Sequence, residues 1–162
     1  LVVAIGNPFG LANTMTTGLC GLSGLDLNEV VEYQPARQLQ IRLAAEAIRI
    51  GIALGFTLEA IRGLAPEKWL AAADGDTATV TEVEQCMLEG LRRRPEGGRS
   101  GTAQDLAKGR RTEVDFMNGY VAEQGAACGI PAPTHAGVAA LVRRIERGEL
   151  VPARELLDQL RA

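Results

Sequence analysis

One short stretch of the chain combines a basic turn, a carboxylate and an amphipathic helical pattern. Residues 109–121 read GRRTEVDFMNGYV, which places Glu113 at the predicted start of a helix. At helical spacing its neighbours are Phe116, Met117 and Tyr120, so its carboxylate is expected beside an apolar edge. The positive end of the helix dipole favours an anion there. Glu113 is therefore the first candidate for chemistry, with an ordinary first-turn glutamate as the alternative.

A glycine-rich segment precedes this stretch. Residues 97–105 read GGRSGTAQD. Glycines free the backbone to present N–H groups, and Ser100 and Thr102 add hydroxyls, a combination that suits a small carboxylate ligand. A flexible surface loop without a ligand is the alternative interpretation of the same residues.

Other kinds of site have little support in the sequence. One histidine, His135, and three widely spaced cysteines give no metal-ligand pattern, so no metal site is expected. We expect Cys20, Cys86 and Cys128 to be small buried hydrophobes in a reducing compartment, and His135 to have a capping or surface role. A net charge of −3 argues against nucleic acid or an anionic membrane as a partner. The arginines and lysine between residues 92 and 111 are expected to form a solvated face or to contact a cofactor phosphate.

Residues 1–25 carry no charge. Polar residues and glycines interrupt them, so we expect a buried packing segment and not a membrane span. The chain starts at Leu1 within an apolar run, and we expect it to be a piece of a longer protein.

Helical periodicity runs through most of the chain, and no alternating strand pattern is found. With 46% hydrophobic but only 4% aromatic residues, closely packed helices are favoured over a sheet. The helix predicted over residues 36–54 has the clearest period, and its solvent-exposed face is expected to carry Arg37, Arg42, Glu46 and Arg49. Thr112 and Thr134 are predicted helix caps. The prediction is one all-α domain over residues 1–162, with a loop at 94–101 and helices over residues 1–20, 36–54, 57–64, 66–73, 77–91, 112–128, 134–146 and 152–161.

Residues 100–134 resemble the C-terminal domain of ketopantoate reductases (2-dehydropantoate 2-reductases). That family has a G-R-x-T-E-[IV]-D-x-x-N-G-x-[VL] stretch and then G-I-x-x-P, matched here at residues 109–121 and 129–133. The family's S-S-M-x-Q-D stretch is matched at Gln104 and Asp105, but Gly101 replaces its second serine. The resemblance implies the helical fold of the ketopantoate reductase and 6-phosphogluconate dehydrogenase C-terminal type.

The opening residues are similar to the K-L-x-x-N-x-x-x-N-P helix of the same family. Asn7 matches the second asparagine, while Ala4 or Val3 replaces the first. Thr17 stands where many members have asparagine before a glycine. The family's proton-donating lysine would fall just upstream of Leu1.

The resemblance implies an NADPH-dependent reduction of 2-dehydropantoate to pantoate in pantothenate biosynthesis. Glu113 would then face the active site as a catalytic residue near the nicotinamide ribose of NADP, and the substrate-binding residues would be Asn7, Thr17, Ser100 and Gly101. No G-x-G-x-x-G follows a strand in this sequence, so an N-terminal Rossmann domain is expected to bind most of the cofactor. A homodimer and a cytoplasmic location are also implied. The alternatives are a related reductase for another small 2-oxo acid, and a non-catalytic helical interaction or dimerisation module.

Overall fold

The computed structural model describes residues 5–92 and 97–161, and within these it contains helices, turns and one isolated β-bridge. The predicted all-α class is confirmed. Two 3₁₀ helices are described, Val114–Phe116 and Arg154–Leu160. The described α-helices are α1 (Pro8–Ser23), α2 (Glu29–Glu32), α3 (Gln34–Ala53), α4 (Pro66–Ala73), α5 (Thr77–Arg92), α6 (Gly101–Ala107), α7 (Asn118–Cys128) and α8 (Pro133–Glu146).

The centre of the domain is formed by α1 and α3. Helix α1 packs against α3, α6, α8 and the Arg154–Leu160 helix. Helix α3 packs against α1 and also against α4 and α7. In the helix predicted over residues 36–54, the apolar residues from Leu39 to Ile50 are buried, while Ile52 is 56% and Leu54 37% exposed. The uncharged start of the chain therefore contributes a packing helix, as predicted, to the extent that it is described. Across residues 5–92 and 97–161, no helix has the length and hydropathy needed to cross a membrane.

A glycine allows α1 to approach α7 and α8 closely. A Cβ on Gly18 would lie 2.5 Å from Cγ1 of Val138 and 3.1 Å from Oδ1 of Asn118. A contact of 2.5 Å does not occur between real side chains, so α1 can pack this close to α8 only with glycine at this position. The close approach brings the polar residues at the start of α7 within reach of the α1 backbone.

The first helix starts later than predicted. Asn7 has an extended backbone, and its Oδ1 accepts hydrogen bonds from the N–H groups of Phe9 (2.8 Å) and Gly10 (3.3 Å). Asparagine followed by Pro8 is a favourable N-terminus because proline needs no hydrogen-bond partner at the first helical position. A helix over residues 1–20 is thus wrong for residues 5–7, while residues 1–4 lie outside the described part of the chain.

The predicted helix over residues 57–64 is wrong. Ile61 and Leu64 exchange two backbone hydrogen bonds of 2.8 and 3.0 Å, which close a two-residue turn. Arg62 and Gly63 occupy this turn with φ of 53° and 83°. Two successive positive φ values are incompatible with a right-handed helix and are typical of a type I′ turn.

The predicted helix over residues 112–128 is interrupted. Thr112 does not cap α7, which begins only at Asn118. Its Oγ1 accepts the N–H of Val114 (3.2 Å), and its N–H and hydroxyl donate to Oε1 of Glu146 at 2.7 and 2.8 Å. The short 3₁₀ helix follows, and Met117, with φ −110° and ψ −93°, then breaks the helical path before α7 begins. The end was predicted correctly, since Gly129 terminates α7 with φ 74°.

Several smaller predictions also need correction. Residues 97–100 are loop as expected, but the glycine-rich segment then enters α6, which was not predicted. Residues 93–96, also in the predicted loop, lie outside the described residues. The helix predicted over residues 134–146 begins at Pro133 with Ala132 as its N-cap, so Thr134 is not the cap. The last helix is a 3₁₀ helix, Arg154–Leu160.

Two charged residues assigned to the wetter face of α3 are buried. Arg37 is 8% exposed and donates to the carbonyls of Val31 (2.8 Å) and Glu32 (2.6 Å) at the end of α2. Glu46 is 7% exposed and binds the start of α8. Arg37 also pairs with Glu84 on α5 at 3.5 Å. Both residues were mistaken for surface residues because their partners belong to other elements, which a helical pattern does not reveal.

Candidate functional site

One face of α1 is open along its first two turns. Phe9 is 73% exposed, and Ala12 and Asn13 are partly exposed. Residues three and four apart share a helix face, so these side chains form a continuous stripe. Thr16 and Thr17 continue the stripe to the point where other elements cover it. We call these five residues the α1 face.

The Thr17 side of the α1 face is covered by the start of α6 and by the turn before α7. The Thr17 hydroxyl donates to the Asn13 carbonyl (3.1 Å) and lies 3.9 Å from the sulfur of Met117. The Ser100 hydroxyl donates to the Thr17 carbonyl at 3.3 Å. Two of the predicted substrate-binding residues are therefore neighbours.

Ser100 and Gly101 differ in their access to a ligand. Ser100 is 3% exposed, and its Oγ also accepts the N–H of Ala103 (3.2 Å) as the N-cap of α6. A substrate can bind this hydroxyl only by replacing one of its present hydrogen bonds. Gly101 is exposed, and a Cβ there would meet no atom within 4 Å. Their roles in substrate binding stay predictions.

Glu113 is exposed, and among the described residues its carboxylate makes no hydrogen bond or ion pair. By contrast, Asp115 pairs with Arg143 at 2.6 Å and with Arg111 at 3.4 Å. The Glu113 carbonyl accepts the N–H of Met117 at 3.1 Å, and the sulfur of Met117 lies 3.9 Å from the Thr17 hydroxyl, so Met117 connects Glu113 to the Thr17 side of the α1 face. An unpaired carboxylate in this position is available to a ligand.

Asn7 lies at the opposite end of the α1 face. Ten residues separate it from Thr17 in the sequence, which corresponds to about 15 Å along a helix axis. One small 2-oxo acid cannot contact both side chains. Asn7 and Thr17 can contact bound ligands at the same time only if a cofactor and a substrate lie side by side along the helix. The role of Asn7 stays a prediction.

A group of buried polar residues lies beneath the α1 face. Nδ2 of Asn118 donates to the Thr14 carbonyl (2.9 Å) and lies 3.0 Å from Nδ1 of His135. Since Nδ1 then accepts, Nε2 of His135 carries the proton and donates to the Leu43 carbonyl at 3.0 Å. Burial lowers the pKa of His135 to about 4, so the imidazole is neutral at pH 7. The predicted capping or surface role of His135 is wrong, because the ring has no exposed surface.

Glu46 extends this group to the start of α8. Its carboxylate accepts the backbone N–H groups of Thr134 (2.9 Å) and His135 (3.0 Å), and so performs the capping expected from Thr134. Burial raises the pKa of Glu46, and the hydrogen bonds from Thr134 and His135 partly oppose that rise. We call Thr14, Leu43, Glu46, Asn118 and His135 the polar hub. Its contacts span 17 to 104 residues of sequence, and no local signal reveals them.

The cysteines only partly follow the prediction. Cys20 is buried, and burial raises the pKa of its thiol to about 12. Cys86 and Cys128 are partly exposed, and all three are free. In the described parts of the chain no group of three or more His, Cys, Asp or Glu side chains is placed to hold a metal ion.

Known proteins resemble both the sequence and the fold. The family model described as "Ketopantoate reductase PanE/ApbA C terminal" matches residues 10–146. The chain belongs to this family. The PanE/ApbA resemblance extends to a solved ketopantoate reductase of the family from Ralstonia eutropha JMP134, with a TM-score of 0.63 and 25% sequence identity over 86% of this chain and 39% of that one. A 2-dehydropantoate 2-reductase of Archaeoglobus fulgidus is 42% identical over 50 residues, which are 31% of this chain and 17% of the relative. The PanE/ApbA domain described here thus corresponds to less than half of either protein's length.

Proposed function

We propose that this chain is the C-terminal domain of an NADPH-dependent oxidoreductase that reduces 2-dehydropantoate to pantoate in pantothenate biosynthesis. The observation that carries the proposal is the unpaired carboxylate of Glu113, which stands in the family's T-E-[IV]-D stretch beside the α1 face. Membership of the PanE/ApbA C-terminal family and the names of the two relatives support the reaction. The domain would act with an N-terminal Rossmann domain, in a cytoplasmic homodimer.

Glu113, Thr17 and Ser100 would lie at the edge of the nicotinamide-binding site. NADPH supplies a hydride when it is bound. Glu113 would accept hydrogen bonds from ribose hydroxyls, or would orient the proton-donating lysine expected upstream of Leu1. Thr17 and Ser100 would line the substrate side, and either hydroxyl would donate to the reduced oxygen by giving up its present hydrogen bond to a carbonyl.

Exposed apolar side chains at the same face fit a closing role for the domain. Phe9 is 73% and Phe116 67% exposed, the first on the α1 face and the second just before Met117. Large apolar groups in such positions are typical of surfaces that another part of the protein covers. The Rossmann domain would cover them, which would close the cleft and exclude water from the hydride transfer.

A reductase for another small 2-oxo acid is the second candidate. Gly101 stands where the family has a serine, and the space beside it is open to at least 4 Å. A pocket that lacks this side chain has room for a different substrate.

The test measures NADPH oxidation by the intact protein with ketopantoate and a panel of other 2-oxo acids. Glu113→Gln should lower kcat/KM for ketopantoate by about tenfold or more, because it removes the charge that accepts or orients the reacting groups. Glu123→Gln, which changes an exposed glutamate on α7, is the matched control and should leave activity unchanged. Activity on another acid alone would favour the second candidate. No turnover with any acid would contradict both and favour a non-catalytic helical module.

A further inference from the structure

The segment that carries Glu113 is held to α8 on both sides of this residue. On one side, the N–H and the hydroxyl of Thr112 donate to Oε1 of Glu146, at 2.7 and 2.8 Å. On the other side, Oδ1 of Asp115 accepts the Nε–H of Arg143 at 2.6 Å. Glu113 lies between the two anchored residues, so its backbone is held from both directions.

Helical spacing allows both anchors to form at the same time. Arg143 and Glu146 are three residues apart in the last turn of α8, so they share one face of that helix. Thr112 and Asp115 are also three residues apart. The last turn of α8 therefore supports residues 112–115 along their length.

A glycine leaves room for the second anchor. A Cβ on Gly119 would lie 3.2 Å from Nη2 of Arg143 and 3.4 Å from the Val114 carbonyl oxygen. A side chain at this position would crowd the guanidinium that binds Asp115. The glycine of the GRRTEVDFMNGYV stretch thus leaves space for the ion pair beside Glu113.

The segment has little stability of its own with which to place Glu113. The 3₁₀ helix that follows this residue has three residues, of which Val114 is buried, and it ends at the irregular Met117. A 3₁₀ helix of this length has poor hydrogen-bond geometry and gains nothing from helix cooperativity. The long-range bonds to α8 therefore help to set where the Glu113 backbone lies.

We propose that Glu146 and Arg143 are positioning residues for Glu113, which keep its carboxylate beside the Thr17 side of the α1 face without touching substrate or cofactor. This inference rests on the proposed reductase function and gives the end of α8 a part in it. Glu146 should contribute more, because its carboxylate accepts two hydrogen bonds, one of them from the backbone. In the Arg143–Asp115 pair 44% and 35% of the side chains are exposed, and solvent weakens such a pair.

The test is a double-mutant cycle on kcat/KM of the intact protein, with the 2-oxo acid that it reduces fastest. Glu146→Ala removes the acceptor of both hydrogen bonds and should lower kcat/KM about tenfold, because a misplacement of about 1 Å can cost about a hundredfold in rate. In the Glu113→Gln background the same change should cost less than about twofold, because the displaced group has already lost its charge. Glu146→Gln keeps an acceptor oxygen and should recover most of the loss.

The matched control is Glu149→Ala. Glu149 pairs with Arg144 and Arg147, outside the segment that carries Glu113, so its removal should leave kcat/KM unchanged. If Glu146→Ala does not fold, Thr112→Val takes its place in the cycle. That variant removes only the hydroxyl half of the anchor and should lower kcat/KM about threefold.

Hydrogen exchange measures the anchoring without reference to activity. The amides of Phe116 and Met117 donate to the Glu113 carbonyl, at 3.0 and 3.1 Å. Both should exchange faster in Glu146→Ala than in the wild type, because the segment opens more often once the anchor is lost. In Glu149→Ala their exchange should be unchanged.

Three results would overturn the inference: an unchanged kcat/KM in Glu146→Ala, equal losses with and without the Glu113 carboxylate, or a loss without faster exchange at Phe116 and Met117. The proposed function is judged separately. Ketopantoate turnover that depends on Glu113 but not on Glu146 would reject the inference alone. Turnover of a different acid with the expected coupling would reject only the proposed substrate, and no turnover of any acid would reject both.

Discussion

Glu113 and Asn118 lie five residues apart in the sequence and have opposite surroundings. Asn118 is 1% exposed, and its amide joins α1 to α8 through two hydrogen bonds. Glu113 is exposed and its carboxylate is unpaired among the described residues. One short segment thus supplies a member of the polar hub, whose polar groups are satisfied by the protein, and an exposed carboxylate that remains available to a ligand.

The contrast shows how to separate structural from chemical polar residues. His135 is the residue type most often assigned to catalysis, yet in the polar hub both its ring nitrogens are hydrogen-bonded and it is inaccessible. Glu113 is an ordinary residue type for a helix start, but its position beside Met117 and Thr17 makes it available. Access and unsatisfied hydrogen-bonding capacity are therefore better guides than residue type to the side chains that remain open to a ligand.

The largest expected effect compares these two positions. Asn118→Ala leaves Nδ1 of His135 buried without a donor and removes the second hydrogen bond to the Thr14 carbonyl, and should lower the free energy of unfolding by about 3 kcal/mol. Glu113→Ala removes no contact and should change it by less than about 0.5 kcal/mol. Urea denaturation of both variants measures the difference. Similar losses of stability in the two variants would contradict the contrast between the buried Asn118 and the exposed Glu113.

The polar hub should also make stability depend on pH, while the α1 face should not. The pKa of His135 is lowered from 6.5 to about 4, so the unfolded chain binds its proton first as pH falls. Stability from this residue is fully present above pH 6.5 and declines towards pH 4. The difference of about 2.5 pKa units corresponds to about 3 kcal/mol in total. The raised pKa of Glu46 acts in the opposite sense, because there the folded state takes up the proton first.

The pH effect is measured by urea denaturation between about pH 7 and 5.5, near the unperturbed pKa of histidine and above that of glutamate. Wild-type stability should fall across this interval. In His135→Gln the fall should be absent, because an amide keeps hydrogen-bonding groups but does not titrate. A fall of the same size in His135→Gln would assign the dependence to other groups.

A smaller effect compares two glycines. Gly18→Ala places a Cβ 2.5 Å from Val138 and should cost about 1–3 kcal/mol, because α1 must move away from α8. Gly101→Ala points into open space at the start of α6 and should be neutral or slightly stabilising. Thermal unfolding of the two variants measures the difference in stability. A destabilised Gly101→Ala would show that the space beside α6 is occupied in solution.

The helices with local signals were predictable from the sequence. Pro66 begins α4 and Thr77 begins α5 as expected, because proline and turn residues mark these boundaries without help from the rest of the fold. The apolar face of α3 was also correct, since a period of 3.6 residues is a property of the helix itself. The family was recognised from one stretch, and the match over residues 10–146 confirms it.

The features that escaped prediction depend on distant partners. The helix predicted from Thr112 is interrupted at Met117, and the Thr112 hydroxyl is bonded to Val114 and to the distant Glu146. Arg62 adopts a positive φ within a turn anchored by Trp69 and Cys86. Glu46 has the spacing of a surface residue, and only the position of α8 shows that it is buried. For the candidate site, the sequence grouped Thr17 with Ser100, but it had no signal for the hydrogen bond from the Ser100 hydroxyl to the Thr17 carbonyl.

The cap on α8 has a consequence for how the domain assembles. A helix normally closes its first turn with a neighbouring side chain, but here the capping carboxylate comes from Glu46, 88 residues before Thr134. The first turn of α8 therefore cannot satisfy these N–H groups by itself, and its hydrogen bonds are completed only when α3 is in place. The two helices should open as one cooperative unit, so amides at the start of α8 should exchange with solvent no more readily than those in the middle of α3.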